Sequence, residues 1–159
     1  MTMASSPRDN SELQPEFALQ RIYIKDLSFE SPKAPGIFKT RWQPEVKLDL
    51  NSSHSALDQK DFYEVVLALT VTVTNQGETA FVLELQQACI VMVNHLDEAD
   101  LKRTLEAFCP NLLFPYARDC IDNIVVRGTF PALMLAPINF DALFVQAQKR
   151  MARPQSQSG

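Results

Sequence analysis

The sequence predicts an α+β domain, a four-stranded antiparallel sheet with helices packed on one face. Three observations lead to it. Apolar residues recur with period two in four segments between Phe17 and Val93. Asn75-Gln76-Gly77-Glu78 supplies a hairpin turn between the last two of them. After Asp97 the period lengthens, with Leu101, Leu105 and Phe108 at i, i+4 and i+7, the spacing of one helix face.

The first strand is expected over Phe17–Phe29. Phe17, Leu19, Tyr23, Leu27 and Phe29 take one alternate, and Ile22 and Ile24 on the other suggest a bend. Ser31-Pro32-Lys33-Ala34-Pro35-Gly36 follows as a loop on its turn chemistry. The second strand is expected over Trp42–Leu50, with Trp42, Val46, Leu48 and Leu50 on one face and Gln43, Glu45, Lys47 and Asp49 on the other. Pro44 has no N–H for a ladder, so this strand lies at an edge or begins late. The polar run Asn51–Lys60 reads as a loop. Phe62–Thr74 alternates most clearly, with Tyr63, Val65, Leu67, Leu69, Val71 and Val73 on one face. Gly77 can take the positive φ that the turn requires, and Thr79–Val93 returns as the partner strand. Four strands in succession with one hairpin predict a meander.

Asp97 is placed to cap a helix, with Asp100 near its positive end. Pro110 is expected to end that helix and Pro115 to open a second one. The second helix has Ala117, Cys120, Ile121, Ile124 and Val125 on its apolar face and Gly128 as its C-terminal glycine. Asn139 or Asp141 starts a last helix through Phe140, Leu143, Phe144 and Ala147.

A length of 159 residues fits one domain, and 46% hydrophobic residues are too many for a disordered chain. Residues 1–16, rich in Ser, Pro and Asn, are expected to be a disordered arm; 17–148 form the domain. Residues 149–159 carry Lys149, Arg150 and Arg153 without an acid and read as a flexible basic tail. The net charge is -4, and 11 basic against 16 acidic residues leave the body between the tails near -5. Such a body lacks the basic footprint of sequence-independent nucleic-acid binding, so no nucleic-acid partner is expected. Met1–Pro15 lacks the apolar segment of a signal peptide. No stretch approaches the roughly 18 apolar residues of a membrane span, so the expected location is cytoplasmic, with no direct membrane insertion. Cys89, Cys109 and Cys120 are odd in number and show no C-x-x-C spacing, which reads as free thiols.

Catalytic chemistry is not apparent. His54 sits in a polar stretch and His95 just before a helix, and neither has a metal-ligand spacing to a cysteine. Ser52 and Ser53 lack a nucleophile-elbow context. With four glycines in all, the chain shows neither a P-loop nor G-x-G-x-x-G. No catalytic residue, metal site or cofactor is assigned, and the protein is not expected to be an enzyme. The unusual feature is the sheet, which is apolar on both faces: Val66 and Ala68 stand opposite Leu67 and Leu69, and Val82 opposite Leu83. One layer of helices covers one face, so the other calls for a partner subunit or a ligand.

Several segments carry a family resemblance. They are Gln20-Arg21-Ile22-Tyr23, Lys25-Asp26-Leu27-Ser28-Phe29-Glu30, Trp42-Gln43-Pro44-Glu45-Val46-Lys47-Leu48-Asp49-Leu50, Tyr63-Glu64-Val65-Val66-Leu67 and Glu78-Thr79-Ala80-Phe81. The densest are Cys109-Pro110-Asn111-Leu112-Leu113-Phe114-Pro115-Tyr116-Ala117-Arg118, Arg127-Gly128-Thr129-Phe130-Pro131 and Leu135-Ala136-Pro137-Ile138-Asn139-Phe140-Asp141-Ala142-Leu143. In this order, over 17–145, the chain resembles the proteobacterial protein-export chaperone family SecB.

The resemblance implies a homotetramer built as a dimer of dimers, which accounts for the second apolar face. It implies ATP-independent holding of unfolded precursor proteins and their delivery to the SecA motor. It places client binding in an apolar groove at Trp42, Val46, Leu48 and Leu50. It places SecA docking at Asp26, Glu30, Val82 and Glu84, which receive a basic, zinc-bearing C-terminal segment of SecA; the zinc belongs to the partner. Leu83, Leu85 and Gln87 are implied to influence assembly or client access, and the helix over Glu98–Phe108 to contribute to the contact between dimers. The basic tail departs from the acidic tail common in the family. A SecB-like chaperone of a toxin–antitoxin system would use the same groove, and a small-ligand-binding α+β domain would instead use a pocket between sheet and helices.

Overall fold

The computed structural model describes residues 13–152. Strands β1 (Glu16–Glu30), β2 (Pro44–Ala56), β3 (Phe62–Asn75) and β4 (Glu78–Asn94) form one antiparallel sheet in the order β1-β4-β3-β2. The α+β class and the four-stranded antiparallel sheet are as the sequence predicts. The meander is not: it holds for β2-β3-β4, while β1 pairs with β4, from Glu16 opposite Asn94 to Glu30 opposite Val82. The connection from Glu30 to Pro44 is too long for a hairpin and can span two intervening strands at about 4.8 Å each. The arrangement buries the two most apolar strands centrally and leaves the charged ones at the edges, where unpaired backbone meets water.

Two register shifts shape β1, between Leu19 and Arg21 and between Ile24 and Asp26. Each extra residue turns the following side chains to the opposite face. In consequence Phe17, Leu19, Ile22, Ile24, Leu27 and Phe29 stand opposite Val93, Val91, Cys89, Gln87, Leu85 and Leu83 on the helix side. Tyr23, expected with them, faces outward opposite Ala88.

β2 begins at Pro44, so Trp42 precedes the strand, and it runs on to Ala56 through the expected loop. Ladder pairing explains this: Asn51 to Ala56 bond across to Ala68 to Tyr63, and an edge strand needs no apolar alternation to follow its neighbour. Gln76 (φ 52) and Gly77 (φ 82) turn β3 into β4, the pair of positive φ values that a two-residue hairpin requires.

Asp97 caps α1 (Glu98–Arg103), its Oδ1 accepting from Asp100 N at 2.7 Å. The helix does not end at Pro110. A π-turn (Thr104–Phe108) leads directly into α2 (Cys109–Arg127), with Pro110 in the first turn of α2 and Pro115 inside it. Cys109 N–H donates to Thr104 O across the π-turn. The wider turn supplies different acceptors just where proline removes a donor. At the end of α2 the left-handed residue is Thr129 (φ 66), not Gly128. Phe130 N donates to Val125 O and Thr129 N to Val126 O, the bond pair of a Schellman cap. Gly128 answers a different need: a Cβ there would lie 2.7 Å from Cζ of Phe29. Asn139 Oδ1 accepts from Ala142 N at 2.9 Å and starts α3 (Phe140–Ala152). Within the described residues, β1 and α3 reach into the expected arm and tail; residues 1–12 of the arm and 153–159 of the tail, including Arg153, lie outside them.

Val65, Leu67, Leu69, Val71 and Val73 of β3 and Leu83, Leu85 and Val91 of β4 form the core with Leu105, Leu113, Ala117, Ile121 and Val125. Burial of each Val, Leu or Ile among them contributes roughly 1.5–3 kcal/mol. At one end of the sheet, aromatic rings close the core: Phe81 packs on Phe29 at 5.5 Å and on Phe130 at 4.9 Å, and Phe130 on Phe38 and Trp42 at 5.3 and 5.6 Å. Asn75 is buried beside them, donating from Nδ2 to Thr40 Oγ1 and accepting Gln43 N–H at Oδ1. These bonds fix the approach of Trp42 to β2.

Candidate recognition surfaces on the two sides of the sheet

On the helix side, Val46, Leu48 and Leu50 stand opposite Val73, Val71 and Leu69. At about 3.4 Å per residue, the stretch from Pro44 to Leu50 makes an apolar strip about 20 Å long. Trp42, Leu48 and Leu50 are half-buried against the core, while Val46 is 47% exposed. The strip is bounded at one end by the aromatic cluster and at the other by α3, which forms a cleft of ≈ 640 Å³ with Leu50. Among the described residues β2 pairs only with β3, and the outer backbone groups of such an edge strand can accept an extended chain. Phe38, 49% exposed and joined to Trp42 through the Phe130 ring, enlarges this surface. Sequence reasoning missed it. The signal was the apolar pair Ile37-Phe38 amid polar residues, of which Ile37 turns into the core.

The opposite face carries the carboxylates. Glu30 stands opposite Val82, Ser28 opposite Glu84 and Asp26 opposite Gln86. Directly opposed residues share a face, so Asp26, Glu30, Val82 and Glu84 come together; the three acids are exposed and Val82 is half-buried. Asp49 continues the row, since it pairs with Thr70 and Thr70 pairs with Glu84. Leu83, Leu85 and Gln87 lie on the helix side and are buried in the core of a single chain. Gln87 Nε2 donates to Tyr23 O at 3.1 Å.

Next to the carboxylate row, Glu64 accepts from Tyr23 OH and, at 2.7 Å, from Lys25 Nζ. The bulge at Lys25 aims this side chain across the sheet. Lys25 first, then Tyr23, hold the Glu64 carboxyl below its usual range against the opposing effect of burial. Burial, then the hydrogen bond to Glu64 and its charge, push Tyr23 up from 10.0 to about 12. A tyrosine whose folded value is raised keeps its stabilising effect below pH 10 and loses it as pH rises towards 12. Thermal unfolding should show a fall in Tm between pH 10 and 12 that is smaller in Tyr23→Phe. Parallel profiles would reject the coupling.

His54, expected in a solvated loop, is on β2, with Nε2 3.5 Å from Glu106 Oε1. The three cysteines are free; Cys89 and Cys109 are buried and Cys120 is half-buried. Among the described residues, no group of three His, Cys, Asp or Glu could hold a metal ion, and no helix is long and apolar enough to cross a membrane.

One side of the sheet thus carries an apolar strip along its edge strand, and the other carries a carboxylate row. A family model described as "Preprotein translocase subunit SecB" matches residues 10–151. The "Protein-export protein SecB" of Pseudomonas syringae pv. tomato is 61% identical over 142 residues, covering 89% of this chain and 86% of that one. The protein of that name from Pseudomonas aeruginosa strain UCBPP-PA14 is 56% identical over 152 residues, covering 95% and 93%. Among solved structures, the Mycobacterium tuberculosis Rv1957 SecB-like chaperone, in complex with a ChAD peptide from the Rv1956 HigA1 antitoxin, matches with a TM-score of 0.65 at 16% identity, covering 77% of this chain and 90% of that one. The chain belongs to the SecB family of protein-export proteins.

Proposed function

We propose that the protein is an ATP-independent holdase of the cytoplasm. It binds unfolded secretory precursors, keeps them competent for translocation and passes them to the SecA motor. The observation that carries this reading is the apolar strip Trp42, Val46, Leu48 and Leu50 beside the free edge of β2. A receptor for many sequences gains from apolar area and backbone hydrogen bonds rather than from side-chain codes. At about 25 cal/mol per Å², roughly 1,000 Å² of apolar client surface offers up to ~25 kcal/mol gross, most of it offset by chain ordering and association.

The row of Asp26, Glu30 and Glu84 with Val82 beside it is the docking face for the basic, zinc-bearing C-terminal segment of SecA. The working assembly is a homotetramer, a dimer of dimers. Ile24, Phe108 and Tyr116, each about half exposed, support a further subunit contact along β1 and the long helix, which sedimentation at micromolar concentration tests.

The holdase is tested by refolding a slow-folding precursor without nucleotide. Near-stoichiometric protein should arrest refolding, and an unchanged refolding rate rejects the reading. A second reading, service to a toxin–antitoxin pair, is favoured only by the antitoxin-bound fold neighbour. The export relatives stand at 56–61% identity. Pull-down of SecA against an antitoxin separates the two. A small-ligand domain would show saturable binding of a small molecule and no affinity for unfolded chains.

A further inference from the structure

α2 and α3 are joined by an extended strap, residues 131–138, that carries no charged side chain and lies in neither helix nor strand. Leu133, Leu135 and Ile138 are half-buried against the core, while Ala132, Met134 and Ala136 are exposed. Pro131 and Pro137 have no N–H to donate. Among the described residues, the hydrogen bonds that tie this backbone to the rest of the chain end on one atom. Asp122 Oδ1, on α2, accepts from Leu133 N at 3.0 Å and from Met134 N at 3.3 Å. A carboxylate makes such bonds roughly twice as strong as a neutral acceptor does. They also hold Met134 at φ 49, a left-handed conformation that a residue other than glycine keeps only where its surroundings enforce it.

The helix that follows has few anchors of its own. Among its described residues, only Phe140 of α3 is fully buried, and its ring packs on Phe114 at 5.9 Å. The ion pair of Arg103 with Asp141 at 3.3 Å is exposed on both sides and contributes little. A helix of 13 residues is marginal in water without tertiary support. Yet Leu143, Phe144 and Ala147 of α3 wall the cleft that Leu50 borders from β2. Asp122 is not part of that lining.

We propose that Asp122 is a positioning residue: by clasping the strap it holds α3 in place, and with it one wall of the cleft. This inference rests on the holdase reading for its functional consequence and adds a control point outside the client surface. The consequence is a longer stay for a bound chain while the wall is docked.

Amide hydrogen exchange on the full chain tests the clasp, and the dissociation rate of fluorescently labelled, reduced and alkylated lysozyme tests its consequence. Alanine is favourable inside a helix, so Asp122→Ala should leave α2 intact over 118–125. Exchange of the Leu133 and Met134 amides should rise about tenfold, and that of the α3 amides over 143–148 about fivefold. The lysozyme chain should leave about fivefold faster. Asp122→Asn keeps an acceptor oxygen in the same place and should restore most of both effects. Unchanged exchange in α3 overturns the inference, as does equal acceleration in α2 and the strap, or an asparagine variant that behaves like the alanine one. The expected exchange pattern with an unaltered dissociation rate overturns the link from clasp to cleft. The same pattern with no binding of lysozyme to the natural chain upholds the clasp and overturns the holdase reading.

Discussion

Replacing Phe81 by alanine is expected to lower the free energy of unfolding by about 3–5 kcal/mol. The ring is fully buried and touches the rings of Phe29 and Phe130. Its removal leaves a cavity where β1, β4 and the chain beyond α2 meet, and close-packed neighbours refill such a space only in part. Against a total of about 5–15 kcal/mol for a domain, this is a large fraction. Urea unfolding should show the loss as a lower midpoint with an unchanged slope. Phe38→Ala is the control: its ring also contacts Phe130 but is half exposed, so its cost should be well below that of Phe81→Ala. Equal losses would mean that the cluster does not act as part of the core.

Reversing Asp26 and Glu84 to lysine is expected to weaken binding of the SecA C-terminal segment by about a hundredfold while leaving client holding intact. Each reversal removes an attraction and adds a repulsion, each worth roughly 0.5–1 kcal/mol at an exposed site. Neither carboxylate lies in an ion pair among the described residues, so folding should change little. The proposed client strip lies on the other side of the sheet, which is why the two activities should separate. Asp49→Lys, in the same row two strands away, should give an intermediate loss. Calorimetry with the isolated segment reads all three. An unchanged affinity in the double variant rejects the docking face.

Much of the sheet was legible because period-two patterning reports burial directly, and β3 and β4 are half-buried along nearly their whole length. β1 misled because two bulges break the period. Counted straight, Asp26 shares a face with Ile24; the shift between them sends Asp26 outward to join Glu84. The polar half of β2 carries no burial signal at all. It is a strand because β3 supplies its ladder. Strand order was hidden for a related reason: pairing of β1 with β4 is decided by which strands are worth burying, not by adjacent sequence. At the helices, the rule that proline ends a helix was overridden by the π-turn. The apolar strip of Trp42, Val46, Leu48 and Leu50 could be read from alternation. Phe38 beside Phe130 and the approach of His54 to Glu106 could not, because each depends on distant segments meeting in space.

The strand order also sets a schedule. β1 leaves the ribosome first, but its partner is the last strand made: Glu16 pairs with Asn94. At about 5–20 residues per second, synthesis needs on the order of several seconds to bridge that interval. Throughout it, β2, β3 and β4 can pair in succession through local turns, while the first strand stays open with Phe17, Leu19 and Ile22 exposed. The nascent chain therefore spends its own synthesis with an unpaired apolar strand, the condition it is proposed to relieve in others.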